Sequence, residues 1–430
     1  MTTGAGPVIK AARVTPILIW DPPLLNLVGV HQPYTPRLIV EVESESGVVG
    51  VGETYGDTAY LEIAHALAAT LPGRPLASMN ELGRRPSGME DRRLGGEDEQ
   101  DKSGFRGVLT TSKLHASVVS AFEVACLDAL GKESGLPVHA LLGGKVRDRV
   151  DYSGYLFYRW AVHPGDDVPS DDWGSALDPA GVVEQARRFD AAYGSRSFKL
   201  KGGVFPPDQE VAAIRALREA FPDRPLRLDP NGSWSVETSV RVAQELDGVL
   251  EYLEDPTLGT SAMAEVHRRT GLPLATNMCV TSFDEVPEAF AADAVQVVLS
   301  DHHFWGGLLA TRDLAALCRV YDVGVSMHSN THLGISLAAM THVAATVPEL
   351  RYACDTHRPW QTEDVVTLPH TFADGAIEVS DAPGLGIDLD RDALERLHRR
   401  WLDSDVRDRD DVGAMRAAVP GYQRPAFPKW

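Results

Sequence analysis

The chain has 430 residues, 43% of them hydrophobic, enough to bury more core than one ordinary domain holds. Its 41 Lys and Arg face 61 Asp and Glu, a formal net charge of −20 that argues against nucleic acid or an anionic membrane as partner. An acidic protein that handles an acidic substrate needs a metal ion or a local cluster of Lys, Arg and His.

Residues 1–30 lack the basic start, apolar run and small-residue cleavage site of a signal peptide. Residues 38–42 (Leu-Ile-Val-Glu-Val) and 48–52 (Val-Val-Gly-Val-Gly) read as strands, and Ser44-Glu45-Ser46-Gly47 between them is turn chemistry, so a hairpin is predicted. Helical patterns follow over 60–70 and 116–132; the second carries Val119, Phe122, Val124, Cys126, Leu127 and Leu130 as a broad apolar stripe. The segment 84–106 is rich in charge and Gly and reads as a loop, either a plain surface connection or a lid over a site. Cys126, Cys279, Cys318 and Cys354 lie far apart without paired spacing, which speaks for free thiols in a reducing compartment and against a zinc site. No stretch approaches the roughly 18 unbroken apolar residues of a membrane span. A cytoplasmic chain is expected.

From residue 150 onward short apolar runs that end in polar residues alternate with helical segments. The runs cover 197–201, 226–231, 250–255, 272–277, 295–301, 323–328 and 350–357, with helices predicted over 210–220, 236–246 and 310–321 in the gaps. Their terminal polar residues recur every 23 to 29 residues, the length of a strand, a loop and a helix together. Strands joined by helices run parallel, and this many in succession predict a (β/α) TIM-type barrel with its functional groups at the C-terminal strand ends. The barrel is assigned to 141–384. Residues 1–140 form an α+β capping domain, completed by 385–430 with a helix over 390–403 and an Arg/Asp-rich tail.

The strand ends offer Lys199, Lys201, Asp229, Asn231, Glu254, Asn277, Asp301, His328, Asn330 and His357. Asp229, Glu254 and Asn277 end three successive strands with hard oxygen donors, which suit Mg²⁺. Singly, such residues are often only turn or helix caps. Lys199 and Lys201 alternate with Phe198 and Leu200, so both ammonium groups share one face. Turned inward they lower each other's pKa, which prepares a general base; turned outward they are merely solvated. Asp301 ends the strand before His328 and can fix its tautomer as a second acid/base.

Taken in order, several segments resemble one group of enzymes. Phe198-Lys-Leu-Lys-Gly-Gly203, Asp229-Pro-Asn-Gly232, Glu254-Asp-Pro256 and Ala275-Thr-Asn-Met278 are similar to the strand-end motifs of the glucarate dehydratase subgroup of the enolase superfamily. His303-Phe-Trp305, His328-Ser-Asn330, His332-Leu-Gly-Ile-Ser336 and Asp355-Thr-His357 continue the likeness, as do Gly154-Tyr-Leu-Phe157, Pro383-Gly-Leu-Gly386 and Arg409-Asp-Asp411. The resemblance implies an enolase-like modified barrel and an Mg²⁺-dependent hydro-lyase acting on a sugar diacid, with glucarate giving 5-dehydro-4-deoxyglucarate. It implies Asp229, Glu254 and Asn277 as Mg²⁺ ligands, Lys201 as base on one face of the substrate, and Lys199 as an aid in binding its carboxylate. His328, oriented by Asp301, is the acid/base on the other face. His31, Tyr155, Asn231, Asn330, His357 and Arg409 match substrate-contacting positions. Members of the family often associate, which points to a homo-oligomer.

Three features depart from that pattern. The loop 257–260 is short, His302 stands where the family usually has Pro, and 84–113 does not align, so the family's Thr contact there has no counterpart. These departures bear on which diacid is used, with galactarate and idarate open beside glucarate. An epimerase or racemase using the same enediolate, and a non-enzymatic binding protein on the same scaffold, are the other readings.

Overall fold

The computed structural model describes residues 6–82, 109–165, 168–368 and 370–430; the loop read over 84–106 lies outside them. The predicted hairpin is present, Tyr34–Ser44 pairing antiparallel with Val49–Tyr55 in a register that sets Val40 opposite Gly52 and Val42 opposite Gly50. Gly47 closes the turn with φ +90°, a conformation that a side chain disfavours. A third strand, Ile9–Trp20, pairs with Tyr34–Ser44 along nearly its whole length.

The helix Thr111–Ser134 lies across this sheet at very close range. A Cβ on Gly50 or Gly52 would meet the carbonyl oxygens of Ala125 and Ala121 at 2.0 and 1.9 Å, so only glycine permits the packing. By length and composition this helix could span a membrane, but 83% of that stretch is buried inside the protein; its apolar character is that of a core helix. The helix Arg391–Asp403 packs near the first strand, where Arg400 donates to the Leu18 carbonyl and to Glu363.

The remainder is a TIM-type barrel. Seven parallel strands follow in sequence order: Gly154–Phe157, Phe198–Lys201, Leu226–Asp229, Tyr252–Glu254, Leu274–Thr276, Val297–Ser300 and Gly324–Met327. The series thus begins one strand earlier than the sequence reading placed it. The run predicted at 350–357 is not a regular strand. It bridges Val325 of the last strand through Leu350, and through Cys354 it bridges Tyr152, two residues before the first strand. Its ladder is interrupted because the Ala353 carbonyl accepts from two side chains, Arg227 Nη1 and Ser326 Oγ, both at 2.8 Å. All four cysteines are free thiols, and burial pushes each up to about 12.

Candidate active site

The period-two alternation sends Lys199 and Lys201 inward, where both are almost fully buried. Lys201 Nζ donates to Asp229 Oδ2 at 2.7 Å and to Asn231 Oδ1 at 2.9 Å. Lys199 Nζ donates to Asp355 Oδ2 at 2.7 Å and lies 2.5 Å from Glu254 Oε2, an ion pair without hydrogen-bond alignment. Burial works against the Lys199 charge, but Asp355 and Glu254 outweigh it and hold the ammonium well above the ordinary lysine value. For Lys199 this corrects the expectation of mutual lowering: carboxylates in contact act more strongly than the second ammonium. The Tyr155 ring lies 4.6 Å from Lys199 Nζ.

Both oxygens of Glu254 and both polar atoms of the Asn277 amide are buried without a hydrogen-bond partner. Such atoms are destabilising when left unpaired. Together with Asp229, which ends the adjacent strand, they form an all-oxygen donor set that suits a hard divalent cation. Asp255 fixes the local backbone by accepting from Asn277 N–H at 2.9 Å and from Thr276 Oγ1 at 2.5 Å. Asp301, His302 and His303 also bring ligand atoms within 4.8 Å of one another. There the His303 ring and its backbone N–H are already committed to Asp301 Oδ1, at 2.7 and 2.9 Å.

Across the sheet from the lysines, His328 follows the seventh strand. Its Nδ1 lies 3.4 Å from Asp301 Oδ2, so the expected pair is present, with His303 as the tighter partner of the carboxylate. Burial, with the charges of Lys199 and Lys201, pushes the His328 pKa down against the pull of Asp301. Burial also opposes the Asp301 charge, but His303 and His328 hold that carboxyl well below its usual range. His357 stands beside Tyr155, ring centroids 4.7 Å apart, and shares a 3.1 Å hydrogen bond with Ser329 Oγ. Burial and the imidazoles of His332 and His328 keep His357 well below the ordinary histidine value.

His31 and Arg409, from a loop near the N-terminus and from the tail, converge on Asp21. Asp21 Oδ1 lies 3.3 Å from His31 Nδ1, and Oδ2 lies 3.1 Å from Arg409 Nη1. Burial raises the Asp21 pKa, but His31 and Arg409 outweigh it and bring the group down to about 2. Arg409 also donates to Thr331, next to Asn330, and the His31 ring lies 6.0 Å from that of Phe157, beside Tyr155. The structure therefore brings the named strand-end, loop and tail residues other than Asn277 into linked groups around the strand ends, and Asn277 follows the strand next to that of Glu254.

Asp21, Tyr55 and Asp355 were not singled out from the sequence. Asp355 stood in a quoted motif and could have been found there; Asp21 and Tyr55 carry no local signal. A cleft of about 1170 Å³ opens beside the cluster, lined by Asn231, Asp255, Leu258, Phe304 and Lys113 among others. Of the departures, the short 257–260 loop lines this cleft. His302 is 3% exposed and lies against His303 instead, ring centroids 4.1 Å apart and tilted by 33°.

The sequence matches the family model of the mandelate racemase/muconate lactonizing enzyme N-terminal domain over residues 21–143 and the enolase C-terminal domain-like model over 181–393. It is 65% identical over 427 residues to a probable glucarate dehydratase of Streptomyces coelicolor, covering 98% of this chain and 99% of that one. The chain belongs to the enolase superfamily. A solved superfamily structure from Thermobispora bispora, an enolase complexed with magnesium and formate, superposes with a TM-score of 0.93 at 52% identity, covering 99% of this chain and 100% of that one. Another, from Pseudomonas fluorescens with bound magnesium, potassium and tartrate, gives 0.91 at 46% identity with the same coverage. More distant superfamily relatives include a muconate cycloisomerase of Pseudomonas putida, 26% identical over 90% of this chain and 98% of that one.

Proposed function

We propose that this enzyme is an Mg²⁺-dependent dehydratase of sugar diacids, with glucarate as the leading substrate and galactarate or idarate next. The observation that carries the reading is the buried Glu254 Oε1 and Asn277 Oδ1, which have no hydrogen-bond partner, beside Glu254 Oε2, which is ion-paired with Lys199. They stand on strands between a lysine pair and an imidazole–carboxylate pair. The Streptomyces relative adds support through its name, and the magnesium in the solved neighbours through their contents.

In this reading Asp229, Glu254 and Asn277 hold Mg²⁺. When bound, the cation supplies positive charge where a carboxylate gains negative charge as its α-proton leaves. Lys199, kept charged by Asp355 and Glu254, adds to that field. Lys201 removes the proton on one face of the substrate. His328 is the acid/base on the other face: as the neutral imidazole it takes the α-proton of a substrate presented on its own side, and as the imidazolium it gives its Nε2 proton to the β-hydroxyl that departs as water. Loss of water leaves an enol, which tautomerises to the keto-deoxy diacid. His31 and Arg409, locked by Asp21, bind the far end of the substrate, while Tyr155, Asn231, Asn330 and His357 line the near end. The test is a panel of sugar mono- and diacids incubated with Mg²⁺ and read by a keto-acid assay. A keto product from glucarate or a related diacid is expected; epimerised diacid without keto product, or ligand binding without any conversion, contradicts the reading.

A further inference from the structure

The strand Val49–Tyr55 belongs to the N-terminal sheet, yet its last side chain ends among the barrel's catalytic candidates. The Tyr55 hydroxyl donates to Asp301 Oδ2 at 3.3 Å and accepts from Asn330 Nδ2 at 2.9 Å. Asp301 Oδ2 is the oxygen that faces His328 Nδ1, while Oδ1 is occupied by His303. The ring is clamped on several sides: Phe304 stacks on it at 5.9 Å, Tyr60 lies at 5.3 Å, and the Arg37 guanidinium lies 5.0 Å from its centroid. Burial and the Asp301 charge push the phenol well above its ordinary pKa, so the hydroxyl remains a donor.

We propose that Tyr55 is a positioning residue that joins Asn330 to the Asp301–His328 pair, so that the N-terminal sheet sets the aim of the imidazole. A carboxylate anchored at one oxygen by His303 can still rotate about its Cβ–Cγ bond. A second donor on the other oxygen, at 3.3 Å and itself fixed by the packed ring and by Asn330, restricts that freedom. At 3.4 Å the contact with His328 is too long to hold the ring by itself. The two anchors together direct Oδ2 at Nδ1 and favour the tautomer with Nε2 open to substrate. The lysine side is held separately, by Asp229 and Asn231. Loss of the phenol hydroxyl therefore acts unequally on the two faces.

The inference rests on the acid/base role proposed for His328, and the test separates the two. Two diacids epimeric at the α-carbon are followed by NMR in D₂O with the wild type and with Tyr55→Phe, which keeps the ring packing. The face served by each base is assigned with His328→Asn. Proton abstraction on the His328 face is expected to slow about tenfold or more relative to the Lys201 face, in the range that misplacing a reacting group produces. Equal slowing of both faces, or no change, overturns the proposal. If the wild type acts on neither epimer, the functional reading fails. The ¹⁵N shifts of His328 then decide: a fall in its Nδ1–H tautomer in Tyr55→Phe supports the positioning role, and unchanged shifts refute it.

Discussion

Lys199 and Lys201 are separated by one residue yet end on different partners, the first on Asp355 and Glu254, the second on Asp229 and Asn231. That division fits the division of labour proposed for them: a permanently charged group beside the carboxylate and a base that reaches the α-carbon. Lys201→Ala and His328→Ala are each expected to lower turnover by about 10²-fold or more, the usual contribution of a positioned acid or base. Divalent-metal affinity should survive in both, so steady-state kinetics combined with a binding titration reads the difference. Near-normal turnover in either variant removes that residue from the acid/base assignment. The strand-end residues were legible because polar side chains recur where a parallel strand stops. Asp21 and Tyr55 were not, because each acquires its role only when distant segments meet.

At the scale of elements, N-terminal carboxylates hold barrel helices. Glu53 Oε1 accepts the backbone N–H of Leu333 at 2.8 Å and Oε2 that of Ser336 at 3.0 Å, satisfying the start of the helix Gly334–Thr346 and steadying the loop that carries Asn330. Glu123 does the same for Leu308 and Leu309, at the start of Leu308–Val320. Burial pushes Glu123 up from 4.5 to about 7. An acid raised on folding binds more protons in the folded chain across that window, so its contribution is full below about pH 4.5 and is lost as pH rises towards 7. The thermal midpoint of Glu123→Gln relative to wild type should accordingly rise between pH 4.5 and 7. A pH-independent difference would show that Glu123 is not raised. Gly52→Ala, which drives a Cβ into the Ala121 carbonyl, should destabilise by about 1–3 kcal/mol or more, read as a lowered thermal midpoint. An unchanged midpoint would mean that the helix and sheet are not in such close contact. The hairpin was legible from its turn, and the barrel helices Pro207–Ala220, Val236–Glu245 and Leu308–Val320 from their period. The helix Gly334–Thr346 was not, because every residue in it is buried and no polar face marks its turns. Ile9–Trp20 escaped because its first half is partly exposed and its second half wholly buried, which erases the alternation of a strand.

For the whole molecule, the cluster is complete only where the N-terminal segments, the barrel and the tail meet. Asp21 is the clearest joint: it faces His31, accepts from Thr35 at 2.9 Å, and pairs with Arg409, which in turn donates to Thr331. Asp21→Asn is expected to raise KM about tenfold, the scale of a lost charge-assisted hydrogen bond, with a smaller effect on kcat. Equal loss in both parameters would place Asp21 with the reacting groups instead. The barrel was readable from strand spacing, and with it the strand ends that carry the proposed donors. The shape of the cleft was not, since its lining comes from segments distant in the chain, among them Asn80, Lys113, Leu258 and Phe304.

Asp229, Glu254 and Asn277 are proposed to share one divalent cation. Mn²⁺ titration followed by electron paramagnetic resonance tests this directly in the wild type, Glu254→Gln, Asn277→Ala and His303→Ala. One tight Mn²⁺ per chain is expected, weakened about tenfold or more in the first two variants, as loss of a ligand oxygen requires, and retained in the third. Binding that persists in Glu254→Gln and disappears in His303→Ala would move the metal to Asp301, His302 and His303 instead.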